Sequence, residues 1–483
     1  MPIVPLFGSG TRGKSSTITD QRRINLYAER YGVDSDKTQF ALFGRPGLTQ
    51  VANGVADAPI LGTSTPVRGF SEVWLSGVTQ SITMFGYTGA SGLPLTSGTT
   101  FVYAATTPLR TTSGAVGIAQ NQTQILAVDG VSGYIWVPPL GVTTDLFSTT
   151  FPVGARTVCF IAGRFVVENP AVLGQFNWSD VLNGLSWPVL NFATAESASD
   201  PLVCVAELAG ELVLLGTFSI EFWAPTGGTD VFRRIGGSGI EYGLTARDSV
   251  QKINGGLCFL GRSKAGGERQ VFFISGHTCN PISSPDVTID INTSANPDAA
   301  TGCAFVVAGH AFYVLNLPET SWAYDFTSQV WSEWQTDEGR WCIDHVRSAF
   351  GYLYASDYRD GRIYKIDVNS FSDGGDLMAR EVWTRHVFNP DLDRMSIDEV
   401  QLDMEVGVGL NSGQGSDPQV MMSTSGDGGR TFGNERWASM GALGNYKWRA
   451  IWYKVGLARD IVLRFRVTDP VKFVIANGVM RVS

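Results

Sequence analysis

Gly8-Ser9-Gly10-Thr11-Arg12-Gly13-Lys14-Ser15 satisfies the phosphate-cradling pattern G-x-x-x-x-G-K-S, whose chemistry is nucleotide binding. That chemistry needs a strand before the loop and a helix after it, so that backbone N–H groups and a helix N-terminus converge on the phosphates. Only residues 1–7 precede the motif, Pro2 and Pro5 among them, and the stretch behind it is a poor helix former. Ile125-Leu126-Ala127-Val128-Asp129 has the form of a magnesium-holding carboxylate strand, yet Gly130 makes it equally a strand that ends in a turn. A flexible Gly/Ser/Lys arm is the simpler reading of residues 8–15. The same stretch contains Gly8-Ser9-Gly10, which matches a nucleophile-elbow pattern without the strand-to-helix turn that would make it one.

Ser425-Gly426-Asp427-Gly428-Gly429-Arg430-Thr431-Phe432 fits S-x-D-x-G-x-T-[WF], the Asp box of sialidases and other propellers. The motif solves a turn problem: the Asp ties down the backbone, the glycines take positive φ and the Phe packs beneath. Sialidases repeat the box and add an arginine cluster with a Tyr–Glu pair, whereas this sequence carries it once. The histidines, His277, His310, His345 and His386, are scattered, and Asp344 beside His345 points to the opposite face of a strand. Cysteines at 159, 204, 258, 279, 303 and 342 show no C-x-x-C and sit in apolar runs, which reads as buried thiols in a reducing compartment and not as zinc ligands. No catalytic residue, metal site or cofactor site is expected.

The elements that must carry these residues are strands. Charged residues are 17% of the 483-residue chain while Gly reaches 56 copies and aromatics 11%, a balance that favours all-β structure. The best helical candidate, residues 19–30, lacks an apolar stripe. A net charge of -9 disfavours a surface that grips nucleic acid through phosphate neutralisation, but suits a conduit along which DNA slides. The 13 Trp, 14 Tyr and 27 Phe fall at core spacing, which assigns them to packing and oligomer contacts before carbohydrate platforms. No run approaches a membrane span, and the N-terminus lacks a signal-peptide pattern, so membrane spanning and secretion are disfavoured.

Between about residues 67 and 367 a short apolar run recurs, as in Phe165-Val166-Val167, Leu212-Val213-Leu214-Leu215 and Ala311-Phe312-Tyr313-Val314. Gly163, Gly210, Gly255, Gly309 and Gly351 each lie two positions upstream of such a run. The spacing is that of four-stranded propeller blades, six or seven of them. From about 379 the repeat stops and longer alternating strands appear, with residues 409–417 as a hairpin tip. Expected, then, are an N-terminal arm over 1–60, which closes the propeller or reaches a neighbouring subunit, a β-propeller over 61–378 and a C-terminal β-sandwich-like domain over 379–483.

The run YKWRAIWYKVGLARDIVLRFRVTDPVK, from Tyr446 to Lys472, alternates Leu463, Phe465 and Val467 with Arg464, Arg466 and Thr468, the mark of a strand with one buried and one basic face. Its order resembles the C-terminal end of phage packaged-DNA stabilisation proteins, the tail-hub subunits below the portal of short-tailed phages. Gln21, Asn25, Leu26, Tyr27 and Glu29, followed by Gly44-Arg45-Pro46-Gly47-Leu48-Thr49, resemble the start of the same family. The resemblance implies a structural protein of the virion tail or neck, assembled in the bacterial cytoplasm. It implies a homo-hexameric ring with portal and adaptor proteins above, needle or nozzle proteins below, and DNA passing the lumen without sequence-specific binding. Asn25, Tyr27, Pro46 and Gly47 in the arm, and Trp448, Arg459, Asp460 and Pro470 near the end, are the matched candidates for assembly contacts or for keeping the fold. A propeller glycosidase or glycan-binding tail protein is the alternative, and it predicts acidic and arginine side chains converging on the propeller axis.

Overall fold

The computed structural model describes residues 3–7, 21–31, 40–51, 65–76, 81–88, 91–96, 108–137, 142–228, 230–389, 391 and 393–483. The phosphate-loop pattern at 8–15, with its Gly8-Ser9-Gly10, lies outside them.

Five dipeptides organise the middle of the chain: Ala162-Gly163, Ala209-Gly210, Asn254-Gly255, Ala308-Gly309 and Phe350-Gly351. In each, both residues are left-handed, with φ of 50–52° at the first position and 72–84° at the second. That is the type I′ turn, whose twist matches that of the strands it joins, and Gly is the cheapest residue at its second position. The glycines of the sequence repeat are therefore the turn residues between the first and second strands of successive meanders.

Among the described residues seven meanders follow one another, over 67–96, 117–145, 158–194, 202–234, 242–281, 301–336 and 343–367. We number them 1 to 7. The first strand of each touches the first strand of the next, and meander 7 touches meander 1, so the inner strands close a ring about one axis. Apolar clusters fill each gap between neighbours, for instance Phe176, Trp178, Leu212 and Trp223 between meanders 3 and 4, and Leu126, Ile135, Phe165 and Trp187 between 2 and 3. Each such side chain is worth about 1.5–3 kcal/mol of transfer free energy, which no single meander could gain alone.

The ring is closed from the start of the chain. Gly47–Gln50 is the fourth strand of meander 7, pairing Leu48 with Ile366, and Val51 N–H donates to the Ile363 carbonyl at 3.0 Å. Arg23–Ile24 lies parallel to the outer strand of meander 6 at Glu333 and antiparallel to Arg380–Trp383. Phe40–Gly44 pairs with both Leu26–Arg30 and the C-terminal strand Val474–Val482.

Residues 380–483 supply the rest of two packed sheets. One has the strand order Leu26–Arg30, Phe40–Gly44, Val474–Val482, Met395–Met404, Ala450–Ala458. The other runs from Arg23–Ile24 through Arg380–Trp383, Asp460–Val467 and Gln419–Ser425 to Arg436–Ser439. Leu463, Phe465 and Val467 are fully buried between them, as their alternation requires. The basic face of that strand is engaged within the chain: Arg466 reaches Glu338, in the turn after meander 6, at 2.7 Å, and Arg464 lies over Phe432. Residues 409–417 are not a hairpin tip. They carry the chain from Met395–Met404 in one sheet to Gln419–Ser425 in the other, because Met395–Met404 already has partners on both edges.

A helix at Pro285–Thr293 was not legible in the apolar pattern, though Ser284-Pro285-Asp286 is a helix-start signal. Its Val287 and Ile291 fill the core between meanders 5 and 6.

Candidate functional site

The inner strands surround an axial cavity of about 890 Å³, the size of a small-molecule site and far too small to thread a duplex. Charged side chains do converge there, as the glycosidase alternative predicts. Four of them pair with one another, and Arg68 is held by backbone carbonyls. Lys252 pairs with Glu207, and Arg247 holds Asp248 through two bonds of 2.8 Å. Arg68 donates to the carbonyls of Gly114 at 2.7 Å, Thr111 at 2.8 Å and Ser113 at 2.7 Å. Burial pushes the Arg347 guanidinium and the His345 imidazole down from their ordinary values. Glu168, which burial pushes up, accepts bonds from Arg156 N–H and from the Thr157 amide and hydroxyl, tying the start of an inner strand to its neighbour. These two cation–carboxylate pairs line the cavity and leave its centre open. Among the described residues no group of three or more His, Cys, Asp or Glu could hold a metal.

The matched residues of the arm meet at a seam where propeller and sandwich join. Asn25, buried and left-handed at φ 55°, donates to the Ala379 carbonyl at 2.7 Å and accepts from Gln335 N–H and Arg45 Nε at 2.8 Å each. Arg45, with no exposed surface, spends all five N–H donors: on Asn25, on the carbonyls of Pro46 and Gln335, and on both carboxylate oxygens of Asp373 at 2.9 and 2.5 Å. Its guanidinium also lies over the rings of Trp334 and Trp341. Gly47 has no room for a side chain: a Cβ would stand 2.5 Å from the Ser370 carbonyl oxygen. Tyr27 stacks on Phe43 and meets His310 and Phe312 edge-on, and burial pushes its hydroxyl up to about 12.

Two residues that the sequence did not single out complete the seam. One is Arg45, within the motif at residues 44–49. Arg380, fully buried, donates to the carbonyls of Asp469 at 3.0 Å and Phe371 at 2.7 Å, and burial, with Arg45 nearby, lowers it to about 10. Neither carries a sequence signal of its burial: Arg45 lies between Gly44 and Pro46, and Arg380 between Ala379 and Glu381.

The C-terminal candidates lie apart from one another. Pro470 follows Asp469, whose carboxylate accepts from Gln419 N–H at 2.9 Å, and so borders the seam. Asp460 accepts from the His386 ring at 2.7 Å, and the carbonyl of exposed Arg459 accepts from Asn389 N–H at 3.4 Å. Trp448 is exposed, in the loop before Ala450–Ala458. The Asp box forms as its chemistry dictates. Asp427 accepts from the Thr431 hydroxyl and the amides of Arg430 and Thr431, which holds its carboxyl well below the usual range, while Gly428 and Gly429 take φ of 76° and 82°. Phe432 packs edge-on against Trp383 at 4.8 Å. Asp129, the candidate magnesium ligand, accepts from Val131, Ser132, Thr111 and Tyr134 and holds a turn.

Residues 111–370 match the sequence model of a phage stabilisation family described as bacteriophage P22 Gp10, beta-propeller, and residues 379–483 match that of bacteriophage P22 Gp10, beta-sandwich. No curated protein matches the chain. Solved structures with a similar outline include the extracellular domain of a hybrid two-component system from B. thetaiotaomicron, at 8% identity and TM-score 0.43 over 66% of this chain. The chain spans 39% of that structure's length. The WD40 beta propeller domain of Doa1 matches at 10% identity and TM-score 0.40, covering 66% of this chain and 96% of that one. The Neurospora crassa Pan2 WD40 domain matches at 9% identity and TM-score 0.41, covering 67% and 94%.

Proposed function

Because the chain belongs to the bacteriophage P22 Gp10 family of phage structural proteins, we propose that it is a subunit of the virion tail or neck that works by assembly and not by catalysis. Copies form a ring, six in number, docked below the portal and adaptor and above the needle or nozzle. The ring extends the DNA channel and retains packaged DNA until ejection, without reading its sequence. The observation that carries this reading is the match of the family to both the propeller and the sandwich, over 111–370 and 379–483.

Two features of the molecule support it. The axial cavity of about 890 Å³ is too small to thread a duplex, so the conduit is the space enclosed by the ring of subunits and not the hole in each propeller. A chain of net charge -9 lining such a conduit repels phosphate and lets DNA slide. Among the described residues no helix is long and apolar enough to cross a membrane.

The test is electron microscopy of DNA-filled heads that carry portal and adaptor but lack tails, with and without the purified chain. The expected result is an added ring at the portal vertex and reduced DNA leakage. A chain that ignores these heads, yet binds or cleaves a polysaccharide, would establish the glycan-directed alternative instead.

A further inference from the structure

Two surfaces of this molecule are left apolar and carry opposite charge. The first belongs to meander 3. Its third and fourth strands, Gln175–Trp178 and Phe192–Thr194, are joined by residues 179–191, where meander 5 makes the same connection with Gly276-His277 alone. That insertion exposes Val181, Leu182, Leu185, Val189 and Leu190, the last at 84% of its surface, with Phe192 beside them. Between 179 and 199 the charged residues are Asp180 and Glu196, both acidic.

The second surface is the far edge of the sandwich. Ala450–Ala458 and Arg436–Ser439 are the last strands of their sheets, each paired on one side. They lie together, tied by Trp452 Nε1–H to the Arg436 carbonyl at 2.9 Å. Trp437, Tyr446, Trp448, Tyr453 and Leu457 are exposed there, Tyr446 at 73%. From 436 to 459 the chain carries Arg436, Lys447, Arg449, Lys454 and Arg459 and no acidic residue.

The topology sets these surfaces at opposite poles. Both sheets of the sandwich begin beside the outer strand of meander 6, through Arg23–Ile24 in one and Leu26–Arg30 in the other, and their last strands lie at the far end of each strand order. Meander 3 is separated from the seam on meanders 6 and 7 by meanders 4 and 5 in one direction and by 1 and 2 in the other. Exposed contiguous apolar surface marks an interaction site, and single-sided edge strands need a cover. Two different complementary patches on one chain make a heterologous contact, which closes into a ring when its rotation allows.

We infer that the aromatic, basic edge of one copy's sandwich docks on the apolar, acidic insertion of meander 3 in the next copy. The inference rests on the ring reading above and names its contact. A two-fold dimer would pair like with like, and here like would set Lys447 and Arg449 against themselves.

The experiment uses the full chain with Leu190→Arg, and separately with Lys447→Glu plus Arg449→Glu; all three positions are exposed, and a thermal melt equal to that of the parent shows each variant folded. Self-association is read by sedimentation of the concentrated chain and by electron microscopy on tail-less heads. Each variant alone is expected to lose association by about tenfold or more. Mixed, the two variants are expected to pair again, since one keeps an intact edge and the other an intact insertion. Variants that associate like the parent, or a mixture that stays apart, overturn the proposed contact, and if rings still form on heads the tail-subunit reading stands without it. A parent that neither binds heads nor associates in solution overturns both.

Discussion

The seam at meanders 6 and 7 and the outer face of meander 3 are built from the same kinds of strand, yet one is finished and the other is open. At the seam, Arg45 satisfies five donors, Asn25 bridges three segments far apart in sequence, and Gly47 admits no side chain. At meander 3, Leu190 and its apolar neighbours keep 43–84% of their surface exposed. A single chain can therefore close its own propeller and fix its own sandwich, while leaving both poles to be covered by something else. Stability resides at the seam, and association is assigned to the poles.

The largest effect that would break this contrast is loss of Arg45. Arg45→Met leaves Asp373 buried at 1% exposure without its cation and should cost about 3–5 kcal/mol, read as a fall in the urea midpoint of unfolding. An unchanged midpoint would mean that the seam is not where the two regions are held. Gly47→Ala comes next. Its Cβ would meet backbone and not a movable side chain, so the fourth strand of meander 7 must shift, at a cost of about 1–3 kcal/mol. Hydrogen exchange should then quicken at Val51 and along Ile363–Asp367, while meanders 2 to 4 keep their protection.

A smaller, pH-dependent effect sits beside Tyr27. The His310 ring is raised above its ordinary value, first by its hydrogen bond to Asp325, and Asp325 is lowered because bonds from His310 and Ser328 outweigh its burial. The raised His contributes fully below about pH 6.5 and loses its contribution as pH rises through its folded value. The lowered Asp contributes above about pH 3.9 and loses its contribution as pH falls through its folded value. The melting temperature of the parent minus that of His310→Gln should therefore be largest near pH 5 and shrink toward pH 8. His345, lowered by burial, is common to both chains and cancels.

The same contrast explains what could be read from sequence. The Gly163, Gly210, Gly255, Gly309 and Gly351 turns, the alternation of Leu463, Phe465 and Val467, and the Asp box are local, with cause and effect within a few residues. They were legible for that reason. The seam was not, because Arg45 finds Asp373, and Asn25 finds Gln335, across more than half the chain. Nothing near Arg45 in sequence distinguishes an arginine destined for complete burial from one in solvent. Residues 409–417 misled for a related reason: a Gly/Ser-rich loop between two strands looks like a hairpin tip until the partners of those strands, contributed from 436–482, are known. The open face of meander 3 was not legible: residues 181–192 are rich in apolar side chains, but these do not alternate as a strand's would.

The smallest expected effect on stability is the one that most sharpens the comparison. Leu190→Ser removes an apolar side chain that is already in water, so it forfeits no burial in the free chain and should move the unfolding free energy by less than about 0.5 kcal/mol. A cost of several kcal/mol would show that the insertion is packed within its own subunit, and the seam and the face of meander 3 would then no longer differ in kind. With stability unchanged, any loss of assembly in this variant must be charged to a contact that the isolated chain does not make. That separation is not open at Arg45 or Gly47, where a defect in assembly would follow from unfolding alone.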